Sequence, residues 1–203
     1  SVTGARSVTL DGGLPGPLEE LAKFDVVVLG DVPKEFFNES ALARLNAYVS
    51  EIGKGTLFLG GFHTLLSGEY KRTPVEAIVP CEIKAIRTRP QARSATLRVT
   101  PLGRSHDVLI GLDRVLDGRK VGNAYAVGAA RPGATVLLDQ QAGGEARVPL
   151  MAAQTYGSGR TLLLAADRLY EWDFADPGKK GATDGGARRQ IGRASCRERV
   201  YHP

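Results

Sequence analysis

Two apolar runs separated by an amphipathic segment dominate the first third of the chain. The first run, at residues 24–29, reads FDVVVL, and it places apolar side chains on both faces of an extended strand. A strand that is apolar on both faces is typical of the interior of a parallel sheet. The pattern therefore predicts a central strand that ends at Gly30 and Asp31.

The segment after this run has the periodicity of a helix. Its apolar residues recur three or four positions apart, which places them on one helical face. They are Leu42, Leu45, Val49 and Ile52. Asn38 or Ser40 can cap the N-terminus, and Gly53 and Gly55 end the helix. Residues 56–59 then form a second buried strand, so the three elements have the size of a right-handed βαβ unit.

The second half of the chain changes to short alternating segments separated by Pro, Gly and charged residues. A short helix is predicted at 75–78, and a last buried strand at 160–166 follows a tight turn at 156–159. Between them, period-two alternation predicts antiparallel strands at residues 82–87, 95–100, 134–138 and 148–155. We therefore expect one α/β domain over residues 1–174, with a β-rich insertion at 82–155.

The net charge of the 203-residue chain is +5, but this charge is unevenly placed. Residues 175–203 hold seven Lys or Arg against three Asp or Glu, so the rest of the chain is close to neutral. A nearly neutral folded part gives no support for nucleic-acid binding. No apolar run reaches the roughly 18 residues of a membrane span.

The C-terminal residues are set apart by their composition. Residues 191–200 (IGRASCRERV) match one reading frame of a common sequencing adapter. We therefore interpret 191–203 as an adapter-derived artefact and the chain as a metagenomic fragment. Residues 175–190 are rich in Gly, Lys and Arg and are predicted to be disordered. With Cys196 set aside, Cys81 remains, and a disulfide framework is excluded.

Several segments follow one family's pattern in collinear order. They are residues 21–33 (LAKFDVVVLGDVP), 55–61 (GTLFLGG), 99–106 (VTPLGRSH), 131–137 (RPGATVL) and 156–167 (YGSGRTLLLAAD), with Trp172 after them. Over roughly residues 18–174 the chain resembles the glutamine amidotransferase-like domain of large bacterial membrane proteins. Those proteins often also carry von Willebrand factor A-type domains. Agreement over this length is more specific than any single motif.

The resemblance implies a fold, a location and partners. The fold is a class I glutamine amidotransferase-like, flavodoxin-like α/β sandwich with a mainly parallel sheet, truncated here by its first strand and helix. The location is the soluble part of a membrane-anchored bacterial protein, on an unspecified side of the membrane. The partners are other domains of that protein, namely von Willebrand factor A-type domains and membrane spans.

The same resemblance argues against the family's best-known reaction. Glutamine hydrolysis needs a Cys on a strained strand-to-helix elbow and a His, oriented by a Glu, after a later strand. The elbow corresponds here to Gly60 or Gly61. After the last strand the chain has Glu171 but no His. Because the nucleophile and the base are both absent, we expect a non-catalytic domain, a pseudoenzyme.

Six residues near the predicted carboxyl edge are candidates for ligand binding: Asp31, Gly60, Gly61, His63, Asp167 and Trp172. Asp31 could meet a ligand hydroxyl or ammonium group, or form an Asx turn before Pro33. The two glycines allow close backbone approach to an anion or to a neighbouring strand.

The remaining candidate residues each have a structural alternative. His63 could reach a ligand or be a surface or capping residue, and Trp172 could stack on a ligand or pack in the core. Cys81 is interpreted as a small buried hydrophobic residue, and His106 as a solvated turn or helix-entry residue. The scattered His residues do not form a metal-site pattern, so we expect no metal and no cofactor.

Two functions from different classes fit these observations. The first is a non-catalytic module for ligand binding or assembly. The second is a hydrolase or sugar-active enzyme of the same fold, in which an Asp31–His63 pair replaces the triad, since trehalose-utilisation-type relatives also lack the cysteine. A third interpretation makes residues 82–155 a docking surface.

Overall fold

The computed structural model describes residues 9–61, 63–64, 68–83, 93–125, 127–141 and 147–167. Its strands there are β1 (Leu10–Asp11), β2 (Leu14–Pro15), β3 (Val26–Leu29), β4 (Gly55–Leu59), β5 (Arg93–Val99), β6 (Lys120–Ala124), β7 (Ala134–Gln141), β8 (Val148–Tyr156) and β9 (Gly159–Leu164). Its helices there are α1 (Leu18–Leu21), α2 (Glu39–Ser50), α3 (Pro101–Arg104) and α4 (Asp113–Leu116), with 3-10 turns at Lys34–Phe36 and Pro74–Ile78.

Seven of these strands form one mixed sheet in the order β3-β4-β9-β8-β7-β5-β6. The pairs β3–β4 and β4–β9 are parallel, and the four remaining pairs are antiparallel. The α/β class is confirmed, whereas the sheet is mixed rather than mainly parallel. The reason is that the β-rich residues extend the same sheet with antiparallel strands, since β8 pairs directly with β9.

The first βαβ unit is present, but the first strand is not central. β3 pairs with β4 in register from Val26–Gly55 to Leu29–Phe58. It stands at the edge of the sheet order, and Val28 is 56% exposed. The prediction of a central strand was wrong because apolar residues on both faces show only that both faces favour burial. They do not say how many neighbouring strands are present.

Helix α2 follows its predicted pattern closely. The Asn38 side chain accepts the backbone N–H of Ala41 at 2.7 Å, so Asn38 rather than Ser40 is the N-cap. The apolar face is buried over most of its length, at Leu42, Leu45 and Val49. Ile52 lies beyond the end of the helix and is exposed, since the chain turns at Gly53, which has φ +80°.

The β-rich half contains the predicted strands together with elements that the pattern did not predict. β5, β7, β8 and β9 overlap the strands expected at 95–100, 134–138, 148–155 and 160–166. β6 and the short helices α3 and α4 were not predicted, because four- and five-residue elements carry too few apolar positions to show a period. Of the strand expected at 82–87, residues 84–87 lie outside the described residues.

The sheet curls so that β6 approaches β9 from the far side. Ala124 at the end of β6 forms an antiparallel bridge with Ala166, and the Tyr125 N–H donates to the Ala165 carbonyl at 2.9 Å. Strands at the two ends of the series β9-β8-β7-β5-β6 therefore meet. This closure brings the Tyr125 side chain to the carboxyl end of β9.

The predictions about the C-terminal segments fall on residues that the structure does not describe, namely 168–203. The predicted disorder at 175–190 and the interpretation of 191–203 as an artefact therefore stay predictions. In the described part of the chain, no helix has the length and apolar character needed to cross a membrane.

Candidate functional site

The carboxyl ends of three parallel strands meet at one edge of the sheet. β3 leads into Gly30 and Asp31, β4 leads into Gly60 and Gly61, and β9 leads into Asp167. Because β4 lies between β3 and β9, its two glycines are flanked by the ends of both neighbouring strands. Such an edge is where open α/β sheets commonly bind ligands.

Gly60 lies in direct contact with the backbone that follows β9. Its N–H donates to the Leu164 carbonyl at 2.6 Å. A Cβ placed on Gly60 would lie 2.6 Å from the Ala166 nitrogen and 2.7 Å from the Ala165 carbonyl carbon. Since backbone atoms cannot swing aside as a side chain can, any residue larger than glycine at this position would force the backbone to shift.

Gly61 is buried against the side chain of Asp31. A Cβ at position 61 would lie 2.5 Å from the Asp31 carboxyl carbon. The same carboxylate accepts the backbone N–H of His63 through Oδ1. The Asp31 carboxylate thus occupies the space where a side chain on Gly61 would begin, and it joins the end of β3 to the turn after β4.

The turn after β4 is also tied to β3 through other groups. The Thr64 hydroxyl donates to the Gly30 carbonyl at 3.0 Å, and the Lys34 N–H donates to the Gly68 carbonyl at 2.9 Å. The fully buried Tyr70 donates its hydroxyl to the Val32 carbonyl at 2.7 Å, and burial raises the pKa of this phenol. These bonds fix the relative position of the two turns.

Asp167 is held by a residue that the sequence pattern did not indicate. The Tyr125 hydroxyl donates to Asp167 Oδ2 at 2.7 Å. Tyr125 is itself positioned by its own N–H on Ala165 and by the Gln140 side-chain amide, which donates to the Tyr125 carbonyl at 2.7 Å. Within the described part of the chain, Asp167 Oδ1 is buried without a hydrogen-bond partner. No periodicity marks Tyr125, because its position depends on the closure of the sheet.

The structure brings four of the six predicted site residues together and places a fifth at the neighbouring strand end. Asp31, Gly60, Gly61 and the His63 backbone form one contact set, and Asp167 stands at the next strand end. The Asp31–His63 hydrogen bond uses the backbone N–H of His63, and His63 is exposed. It is therefore not a bond between a carboxylate and an imidazole. Trp172 and Glu171 lie outside the described residues.

Cys81 and His106 have the structural surroundings that were expected of them. Cys81 is fully buried, and its backbone forms an antiparallel β-bridge with Ala130. Burial raises the pKa of its thiol to about 12, although the positive charge of Arg131 acts in the opposite direction. A buried thiol of this kind is not nucleophilic. His106 Nδ1 accepts the Val108 N–H at 3.3 Å, which is a local turn contact. Over the described ranges, no group of three or more His, Cys, Asp or Glu could hold a metal ion.

Comparison with known proteins shows similarity in fold. No protein-family model matches the sequence, and no curated protein matches it. The structure is similar to cytoplasmic protein STM3548 from Salmonella typhimurium, with a TM-score of 0.68 and 19% identity, over 90% of this chain and 74% of that one. It is also similar to cytoplasmic protein STM1381 from Salmonella typhimurium LT2, with a TM-score of 0.69 and 18% identity, over 90% and 76%.

A further similar structure carries a family name. It is a putative ThuA-like protein from Bacteroides uniformis, with a TM-score of 0.54 and 14% identity, over 89% of this chain and 71% of that one. At these identities the similarity concerns the fold alone.

Proposed function

We propose that this chain is a non-catalytic ligand-binding module with a flavodoxin-like, class I glutamine amidotransferase-like fold. The observation that carries the proposal is the contact between Asp31 and Gly61. With the carboxylate 2.5 Å from the position of a Cβ on Gly61, a nucleophilic side chain there would first have to displace Asp31. Gly60 is closed to side chains by the Ala165–Ala166 backbone. Both positions that correspond to the catalytic cysteine are thus filled by neighbouring atoms.

The charge of the edge favours one class of ligand. Asp31 and Asp167 end the outer two of the three parallel strands, on either side of the glycines. Carboxylates accept hydrogen bonds and repel anions. The module therefore binds a ligand that presents hydroxyl or ammonium groups, such as a sugar, a polyol or an amine, rather than a phosphate.

The setting of the module in a longer protein rests on the resemblance described above. In that setting the domain belongs to a bacterial membrane-anchored protein, and its partners are von Willebrand factor A-type domains and membrane spans of the same protein. Its role there is ligand binding or assembly. The shared fold of the ThuA-like neighbour supports the flavodoxin-like part of the proposal.

Thermal unfolding in the presence of defined probes tests the binding proposal. The probes are neutral disaccharides, a polyol, a polyamine, glutamine and inorganic phosphate. We expect a hydroxyl- or amine-bearing probe to raise Tm and phosphate to leave it unchanged, since a ligand that binds only the folded state stabilises it. Asp31→Asn should abolish the shift, and Asp107→Asn, at an exposed aspartate elsewhere, should retain it. Failure of every probe, or equal shifts in both variants, contradicts the proposal.

A second candidate function is sugar hydrolysis by two carboxylates. Asp31 and Asp167 stand two strands apart, which corresponds to roughly 10 Å from the spacing of strands in a sheet. In inverting glycosidases the two carboxyl groups are about 6.5–9.5 Å apart, so the two side chains would have to lean toward each other across β4. Glycosidase assays on the wild type, Asp31→Asn and Asp167→Asn decide this point. Turnover that both substitutions remove would favour the enzyme over the binding module, and glutaminase activity in the wild type would contradict both.

A further inference from the structure

Three buried polar side chains form a row across the sheet at the end opposite the candidate site. Thr56 on β4 is in register with Thr161 on β9, and Thr161 is in register with Gln154 on β8. Residues in register on neighbouring strands point to the same face of a sheet. The exposed fractions are 2% for each threonine and 9% for Gln154, so the row lies inside the protein.

Helix α2 covers this face of the sheet. A Cβ on Gly159, two residues before Thr161 and hence on the same face, would lie 2.3 Å from the Val49 carbonyl oxygen of α2. Leu45 and Val49 of this helix are fully buried. Helix α2 therefore packs on the face of the sheet that carries the three polar groups.

Each member of the row carries a polar atom without a partner. The Thr56 hydroxyl oxygen, the Thr161 hydroxyl oxygen and Gln154 Oε1 are all buried and make no hydrogen bond with any residue that the structure describes. Buried polar atoms are hydrogen-bonded in the large majority of cases, and leaving them unpaired is unfavourable. Because the three unpaired polar atoms are neighbours in one row, a single cause explains them more simply than three separate causes.

The spacing of the row fits a bridging water. Cβ atoms of registered residues on adjacent strands are roughly 5 Å apart. Threonine hydroxyls at that spacing can bond directly to each other, but those of Thr56 and Thr161 make no such bond among the described residues, and one water can join them through two hydrogen bonds of about 2.8 Å. A water can donate to Gln154 Oε1 and accept from a threonine hydroxyl, and internal waters typically make about three such bonds.

We propose that Thr56, Thr161 and Gln154 form an internal water-binding site beneath α2. The ligand is at least one ordered water molecule that donates to Gln154 Oε1 and bonds to the threonine hydroxyls. The site joins β4, β9 and β8, and therefore links the parallel and antiparallel parts of the sheet. It is independent of the proposed ligand-binding function.

Direct observation of water in the unsubstituted 203-residue chain is the first test. A high-resolution crystal structure should show a water within hydrogen-bond distance of Gln154 Oε1 and of Thr161 Oγ1. Water–protein cross-relaxation by NMR should show a long-lived water at the same side chains. A dry site, or direct bonds between the three side chains, would overturn the proposal.

Isosteric substitution is the second test. Thr161→Val keeps the shape of the side chain and removes one bond to the water, so we expect a Tm lower by roughly 2–4 °C for a chain of this size. Thr135→Val, at a half-buried threonine on β7, is the matched control for valine in a strand, and its Tm should stay equal or rise. If the three atoms are simply unpaired, Thr161→Val stabilises the protein instead, and that result also overturns the proposal.

Discussion

At the carboxyl ends of β4 and β9 the two backbones lie directly against one another, whereas β5, β7 and β8 are also joined by charged side chains. In the first region, Gly60 leaves no space between its own backbone and that of Ala165 and Ala166. In the second, Asp139 on β7 accepts hydrogen bonds from Arg98 on β5 and from Arg147 just before β8. The two halves of one sheet are thus stabilised by different interactions.

This difference has consequences for how each half responds to change. Close backbone contact depends on shape and is insensitive to salt and pH. Ion pairs at partly exposed positions weaken as ionic strength rises, because the Debye length falls from about 10 Å at 0.1 M to about 3 Å at 1 M. Shape substitutions should therefore damage the parallel edge, and charge substitutions should damage the antiparallel half.

The largest effect is expected from Gly60→Ala. The new methyl group would meet the Ala166 nitrogen at 2.6 Å, and the backbone there must shift. We expect the free energy of unfolding to fall by about 3 kcal/mol, the upper part of the usual range for overpacking. Chemical denaturation measures this change, and the loss should be the same at low and high salt.

Gly30→Ala is the matched control at the same edge, because a Cβ there would meet no atom within 4 Å. Gly61→Ala should fall between the two, since the Asp31 side chain that it meets can rotate away into solvent. Equal losses at positions 30, 60 and 61 would refute the idea that close contact defines this edge.

A smaller loss is expected from Asp139→Asn. The aspartate is largely buried and accepts bonds from two arginines, and hydrogen bonds to charged groups contribute about 2 kcal/mol. Because Arg98 is about half exposed, part of this contribution is screened. The loss should shrink when denaturation is repeated in 1 M salt. If the loss of unfolding free energy were equal at low and high salt, Asp139 would not stabilise the sheet through its charge.

Tyr125→Phe tests the closure that joins the two halves. Removing the hydroxyl leaves Asp167 without the 2.7 Å bond to Oδ2, so we expect unfolding to become easier by about 1 kcal/mol. Tyr156→Phe, at a half-buried tyrosine on β8, is the control and should be close to neutral. A thermal melt of each variant distinguishes them, and equal behaviour would show that the Tyr125–Asp167 bond does not contribute to stability.

The pH dependence of stability should involve Asp117, which belongs to the antiparallel half. The Val99 N–H, and then the Arg104 side chain, lower the pKa of Asp117 below its usual value. A lowered pKa in the folded state means that the stabilisation is present above the unfolded pKa of about 3.9 and is lost as pH falls through the folded value. Tm measured between pH 6 and pH 2 should fall less steeply in Asp117→Asn. Parallel curves for the variant and the wild type would contradict this assignment.

The smallest expected effect concerns Cys81, because the test measures the reactivity of its thiol and does not alter the fold. Because burial raises the pKa of its thiol to about 12, the folded protein should not react with a thiol reagent at pH 8. The measurement uses Cys196→Ser, so that a single thiol is present, and compares the native protein with the protein in denaturant. Rapid labelling of the native protein would show that Cys81 is accessible.

Much of the first βαβ unit could be predicted from local patterns. The Asn38 cap, the buried face of α2 and the positions of β3 and β4 follow from residues that are neighbours in sequence. The same patterns located the strands at 95–100, 134–138 and 148–155, because alternation is a local property. The site was predicted in part, since the residue after a parallel strand lies at the carboxyl edge in any such sheet.

The amino-acid sequence alone thus determined the α/β class, the βαβ unit and the presence of Asp31, Gly60, Gly61 and Asp167 at strand ends. Tertiary structure alone decided that β3 is an edge strand, that the β-rich residues extend the same sheet, and that Tyr125 reaches Asp167. It also decided that the Asp31 carboxylate fills the space beside Gly61. The physical reason is range: capping and periodicity act over a few residues, whereas these contacts join residues 30 to 42 positions apart, and their geometry exists only once the sheet has closed.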